Sequence, residues 1–367
     1  MVMTRRAQAV KPATRRIRAF VDFLLVVLPA FLLLNLLENV VRTVGPGWKT
    51  KPWVPLDFRS FWRDGRHYLH GHSPYHAAFA HTSVYPAPVA ALFAPLAMVP
   101  FHVAVGIFAA TSILAVAGSL WLFGIRDWRC YGAALLSPAV LTAITVGTLT
   151  PLLLLGLAAT WKLRERRSVA VPVALLIVGK LIFWPILVWL FLTGRRRVAV
   201  EAVVLAFAVA LLGWAPIGFA DIARYPTILE HLGAGYGPKS YAIISLIGGG
   251  RATDVAVAAA AVLILWALRR TGDRRLFAFA VLATLACSPI VWLHYFAFLV
   301  AVAAVIQPRF GVLWLAPALL WLTPHQMIGG DRWRVALVIA VCTLMLLLSR
   351  VSPKLDRADL PAAVSAG

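Results

Sequence analysis

Apolar runs of near membrane-spanning length recur along this chain, and short clusters of Arg and Lys stand between them. A helix needs about 20 apolar residues to cross the hydrocarbon of a bilayer. In that medium each backbone N–H and C=O must be satisfied within the chain, so only helices and closed barrels can span it. Runs of this length select helices. Of 367 residues, 61% are apolar and 13% are charged, where a soluble domain carries about 25% charged residues. A soluble fold could not hide so much apolar surface. The expected fold class is an all-α polytopic membrane protein with about 10–12 transmembrane helices, some broken or re-entrant.

The net charge of +21, from 35 Lys and Arg against 14 Asp and Glu, would bring nucleic acid to mind in a soluble protein. Here the basic residues sit in the turns between apolar runs. That pattern marks cytoplasmic loops and attraction to anionic headgroups, so membrane lipids are the expected partners and nucleic acid is not. Residues 1–19 are read as a basic cytoplasmic tail. The run 20–36 has no A-x-A-like cleavage site after it and is read as a retained first helix. The expected setting is a bacterial plasma membrane with the N-terminus inside.

The transmembrane domain is read as 20–350 and the tail 351–367 as cytoplasmic. Two polar, aromatic stretches, 45–83 and 218–250, are expected outside. The loop at Lys162-Leu-Arg-Glu-Arg-Arg167 and the turn at Arg195–Arg197 are strongly basic. The apolar run between them carries Lys180, Pro172 and Pro185. A single straight helix would put one basic cluster outside. Two half-crossings meeting near Lys180 keep both inside, which predicts a broken hairpin lining a cavity. A third basic turn covers 269–275. No internal repeat is evident, which weakens a secondary-transporter or flippase reading. Cys130, Cys287 and Cys342 lack metal-ligand or CxxC spacing and read as small core residues.

With so few acids, candidates for a base can be enumerated. Setting aside those beside basic turns or cytoplasmic ends leaves Glu38, Asp57, Asp64, Asp221, Glu230, Asp254 and Asp331 as candidates for the external side. Asp57 sits in Leu56-Asp57-Phe58-Arg59-Ser60-Phe61-Trp62. If this stretch is helical, its aromatics share one side, and a partly desolvated carboxylate beside them becomes a better base. The plainer alternative is a helix N-cap. His67, His70, His72, His76 and His81 are five of the nine histidines. They read as a solvated loop, with His72 and His76 at a conceivable metal spacing but no acid or thiol beside them. Lys180 lies too deep to snorkel from a straight helix and could bind an anionic group such as phosphate. His294, near the break at Pro289, could equally be a hydrogen-bonded interhelical histidine.

These features in order resemble a known family. Asp57 opens D-F-R-S-F-W-x5-Y-L-x-G-x-S-P-Y, through Tyr68, Gly71, Ser73, Pro74 and Tyr75. Tyr85-Pro86-Ala87-Pro88, Gly147, Lys180 with Pro185, and Ser288-Pro289-x-x-Trp292-x-His294-Tyr295 follow. The chain resembles glycosyltransferase family 87, the polyprenyl-phosphate-mannose-dependent α-mannosyltransferases of the GT-C superfamily, over about 20–350. The resemblance implies a GT-C fold with an outward-facing site and a polyprenyl-phosphate-sugar donor. It also implies a glycolipid or glycan acceptor and an inverting reaction with Asp57 as general base. Lys180 would bind the donor phosphate. His294, Tyr75, Tyr85, Trp292 and Lys239 would contact substrate. No cofactor is implied, and a divalent-metal requirement stays open. The chain departs from the family pattern at Gly147-Thr148-Leu149-Thr150, where Gly-Gln-x-Asn is frequent, and at Pro238-Lys239-Ser240. Both bear on sugar choice, and an arabinofuranosyl donor is the nearest alternative to mannose.

Overall fold

A computed structural model describes residues 12–44, 55–75, 83–323 and 331–351, and every regular element among them is helical. The first helix, α1 (Pro12–Val44), carries the apolar span Ala19–Leu36. Beyond it, α2 (Leu56–Leu69) and α3 (Ala87–Ala97) pack against one another. Their approach is close because Gly65 faces the backbone of Phe93, where an added Cβ would come within 2.9 Å of main-chain atoms. Backbone cannot swing aside as a long side chain can. Gly65→Ala is therefore expected to lower stability by about 1–3 kcal/mol, read as a lower unfolding midpoint in detergent. An unchanged midpoint would show that α2 and α3 can part without penalty.

Next come α4 (Phe101–Leu122), α5 (Trp128–Leu136) and α6 (Pro138–Val146). The last two bend by 67° at Ser137, just before Pro138, which cannot donate a backbone hydrogen bond. α6 ends at Gly147, whose φ of +71 lies in the left-handed region that favours glycine. Then α7 (Thr150–Leu163) runs to the basic loop.

The run between the two basic clusters is broken, as its charges predict. α8 (Ala170–Gly179) stops at Lys180, whose backbone is extended, and a 3-10 turn over Leu181–Phe183 leads into α9 (Trp184–Leu192). Each helix is about 14–15 Å long, half a bilayer's hydrocarbon. Both outer ends of the pair return to one face. Arg195 lies 2.8 Å from Glu165, and Arg167 lies 2.6 Å from Glu201. The third basic turn joins them, with Asp273 at 3.1 Å from Arg195 and 3.4 Å from Arg164. Lys180 thus marks the far end of a hairpin whose two arms start and finish together.

The chain continues through α10 (Arg196–Trp214), α11 (Tyr225–Tyr236), the short α12 (Ile244–Ile247), α13 (Arg251–Ala267) and α14 (Asp273–Ala286). A 3-10 helix over Leu293–Phe298, α15 (Leu299–Ile306), α16 (Val312–Leu315) and α17 (Arg332–Val351) complete it. The region expected as a polar external loop, 218–250, therefore contains a three-turn helix.

Among the described residues three helices are long and apolar enough to cross a bilayer alone: Ala19–Leu36, Phe101–Leu122 and Arg196–Ile217. The bent pair α5–α6 makes a fourth if counted as one span. Six shorter apolar helices account for much of the rest. The chain is an all-α polytopic membrane protein in which much of the apolar sequence forms half-length pieces. Broken helices of this kind are tolerated where protein or a cavity, not lipid, meets the exposed backbone.

Candidate active site

The site is built on α2. Pro55 occupies the N-cap position, and Asp57 lies in the first turn rather than at the cap. The helix-cap reading of Asp57 is thereby replaced. Phe58 and Phe61 are fully buried on one face. Phe58 stacks on Phe108 at 4.8 Å and Phe61 on Phe93 at 4.4 Å between ring centroids. Trp62 donates its indole N–H to the Val99 carbonyl at 3.2 Å. With that face pinned, Asp57, Ser60 and Asp64, spaced i, i+3, i+7, share another. They line a cavity of about 400 Å³.

The hairpin break supplies the opposite wall. Gly179, Lys180, Leu181 and Ile182 line the same cavity. The Lys180 Nζ sits 3.5 Å from the centre of the Tyr295 ring and 5.3 Å from that of Tyr85. Two electron-rich ring faces thus stabilise the ammonium in a partly dry site. Among the described residues no carboxylate comes within ion-pair distance of it. Asp57 and Lys180 line one cavity and act on each other electrostatically across it.

α2 is not one of the spans, and the titration of its acids follows from their surroundings. Burial pushes the Asp57 carboxyl up to about 6, while the Lys180 charge pulls the other way. Asp64, 4% exposed, is also raised by burial, opposed by Ser83 and by the Arg63 guanidinium 3.3 Å away.

A third wall comes from α11. Tyr225, Leu229, Leu232 and Tyr236 line the cavity as one helical stripe. Tyr225 is tethered by its hydroxyl donating to the Val84 carbonyl at 3.3 Å. Tyr236 meets Trp292 edge to face at 5.7 Å, and Ser288, Pro289 and Ile290 close that end.

Of the residues singled out in the sequence, Asp57, Tyr85, Lys180 and Trp292 meet at this cavity. His294 lies just behind it, 3% exposed, its ring 4.8 Å from that of Tyr295. Neither ring nitrogen has a hydrogen-bond partner among the described residues, so the interhelical hydrogen-bonded reading does not apply. Tyr75 is buried against Trp214, and its hydroxyl donates to the Tyr85 carbonyl at 2.6 Å. It buttresses the wall from behind. Lys239 is exposed and outside the lining. His67, His70 and His72 are not buried, while His76 and His81 lie outside the described residues. Among those residues no group of three or more His, Cys, Asp or Glu could hold a metal ion. Arg63, Tyr225 and Tyr236 line the cavity without having been singled out, as do Asp64, one of seven candidate acids, and Tyr295, named only within the late motif. The α11 stripe was visible as Tyr225-x3-Leu229-x2-Leu232-x3-Tyr236, a helical spacing inside a stretch read as a loop.

Residues 84–291 match glycosyltransferase family 87. Neither the curated proteins nor the solved structures compared with the chain gave a match. The matched span takes in Tyr85, Lys180 and the α11 wall, while Asp57 and Tyr295 fall outside it. It covers more than half of the sequence, and the chain therefore belongs to glycosyltransferase family 87 and is a membrane glycosyltransferase.

Proposed function

We propose that the protein transfers mannose from polyprenyl-phosphate-mannose to a glycolipid or glycan acceptor at the outer face of a bacterial plasma membrane, through a GT-C-type fold. The observation that carries this reading is the meeting of Asp57 and Lys180 across one cavity without a contact ion pair. A carboxylate and an ammonium kept apart can serve two ends of a displacement. Asp57 takes the proton from the acceptor hydroxyl as its oxygen attacks the sugar's C1. The bond from C1 to the phosphate oxygen breaks, and the electron pair leaves with polyprenyl phosphate. Lys180 balances the charge that grows there, and such stabilisation often contributes more to the rate than any other single effect. Attack opposite the leaving group inverts the anomeric centre, converting a β-linked phosphate into an α-mannoside.

The surroundings fit a sugar and a lipid phosphate. Tyr225, Tyr236 and Trp292 offer flat faces for a pyranose ring, and Asp64 with Arg63 offers an acceptor and a donor for hydroxyls. The hairpin arms reach Lys180 from the basic face that carries Arg195 and Asp273, so the site is about a half-membrane away from that face. Charge asymmetry supports reading the basic turns as cytoplasmic, and on that reading the cavity opens toward the outer face.

The test is reconstitution in liposomes with radiolabelled polyprenyl-phosphate-mannose and a total lipid extract as acceptor source. The expected result is labelled glycolipid with release of polyprenyl phosphate. Consumption of polyprenyl-phosphate-arabinofuranose alone would reassign the sugar. Solute or lipid flux with no donor consumption would overturn the enzyme reading.

A further inference from the structure

A second concave feature lies on an exposed apolar surface of α9, α10 and α13, away from the active site. It is a groove of about 780 Å³ with Leu187, Val188 and Phe191 of α9 at its base. Val203 of α10 stands on one side and Val262 and Trp266 of α13 on the other. Its lining is apolar except for Arg196. The Arg196 guanidinium lies over the Phe191 ring at 4.8 Å, and that of Arg269 over Trp266 at 3.9 Å. Both rings belong to the groove; Arg196 itself lines it, and Arg269 meets it through Trp266.

Three arginines close to Arg196 are neutralised locally. Arg195 pairs with Glu165 and Asp273, and Arg167 and Arg197 share Glu201. Among the described residues Arg196 and Arg269 have no carboxylate within ion-pair distance. From Arg196 the α10 wall runs through Ala199, Val203 and Val204, about 12 Å into the hydrocarbon. An apolar channel that ends at two uncompensated guanidiniums has the form of a lipid with a phosphate head.

We propose that this groove is a binding site for an anionic diacyl phospholipid, with its phosphate between Arg196 and Arg269 and an acyl chain along α9 and α10. A zwitterionic lipid offers the same chain but carries its own cation beside the phosphate. The donor's phosphate is assigned to Lys180, at the other end of α9, so this site is separate from the reaction.

The experiment uses the full chain in neutral detergent after delipidation. Phosphatidylglycerol and phosphatidylcholine with identical chains are titrated, and retained lipid is read by native mass spectrometry. The expected result is one phosphatidylglycerol retained in preference to phosphatidylcholine. Arg196→Ala with Arg269→Ala should weaken phosphatidylglycerol about thirty-fold and leave phosphatidylcholine unchanged. Arg196→Lys with Arg269→Lys should keep most of the preference, which separates lost charge from lost folding. Val203→Trp should reduce retention by filling the groove with the charges intact. Equal retention of the two lipids by the native protein would overturn the proposal, as would unchanged phosphatidylglycerol binding in the double alanine variant. Displacement of bound phosphatidylglycerol by stoichiometric polyprenyl phosphate would overturn its assignment to a phospholipid.

Discussion

Asp57→Asn is expected to lower kcat by about a hundred- to ten-thousand-fold, the usual range for loss of a positioned general base, with little change in donor affinity. The amide keeps the size and polarity of the carboxyl, and Asp57 is not the residue at the N-cap. The helix should remain in place, held by Phe58 and Phe61 on its other face. The pH profile gives a second readout. Burial raises the Asp57 carboxyl to about 6, and only the deprotonated form can accept the acceptor's proton. kcat/KM should rise about tenfold per pH unit below 6 and level off above it. The limb should vanish in whatever activity Asp57→Asn retains. Unchanged turnover in that variant would remove Asp57 from the mechanism while leaving the family membership intact.

Lys180→Met is expected to lower kcat by about a hundred- to a thousand-fold, because the leaving phosphate loses its only proposed cation. Folding should not suffer in proportion. Lys180 has no contact ion pair among the described residues and is held by ring faces of Tyr85 and Tyr295. Replacing such an embedded charge with an apolar chain of similar length removes a desolvation cost. The unfolding midpoint should match or exceed that of the native protein while activity falls, a split that a purely structural lysine would not produce. The same variant should move the acidic limb upward in pH, because the Lys180 charge lowers the Asp57 pKa. A limb that stays near 6 would mean that the two groups do not sense one another.

Parts of the site were legible because they depend on local rules. The aromatics Phe58, Phe61 and Trp62 are spaced to share a side of any helix they form, and that side is the buried one. Lys180 with Pro172 and Pro185 between two basic clusters implied a returning chain, and the Arg195–Glu165 and Arg167–Glu201 pairs close that return. Other parts were not legible. Asp64 was one acid among several, and only the docking of α2 on α3 turns it toward the cavity that Asp57 lines. Helix α11 was hidden in a glycine-rich stretch, since its apolar stripe buries no residue fully and lines a cavity instead. His294 and Tyr295 are adjacent in sequence. Only the placement of their 3-10 helix puts the tyrosine over Lys180 and the histidine behind it.

By itself the sequence determined the solvent, the helical class, the gathering of the basic turns on one face and the point where one span must break. These follow from transfer free energies and the cost of stranded charge, which act residue by residue along the chain. The tertiary structure alone decided which faces meet. Whether Asp57, Lys180 and Tyr295 share one cavity depends on helix phase and on contacts between residues over a hundred positions apart. No local periodicity encodes that, because each helix offers several faces and only packing against the others selects one.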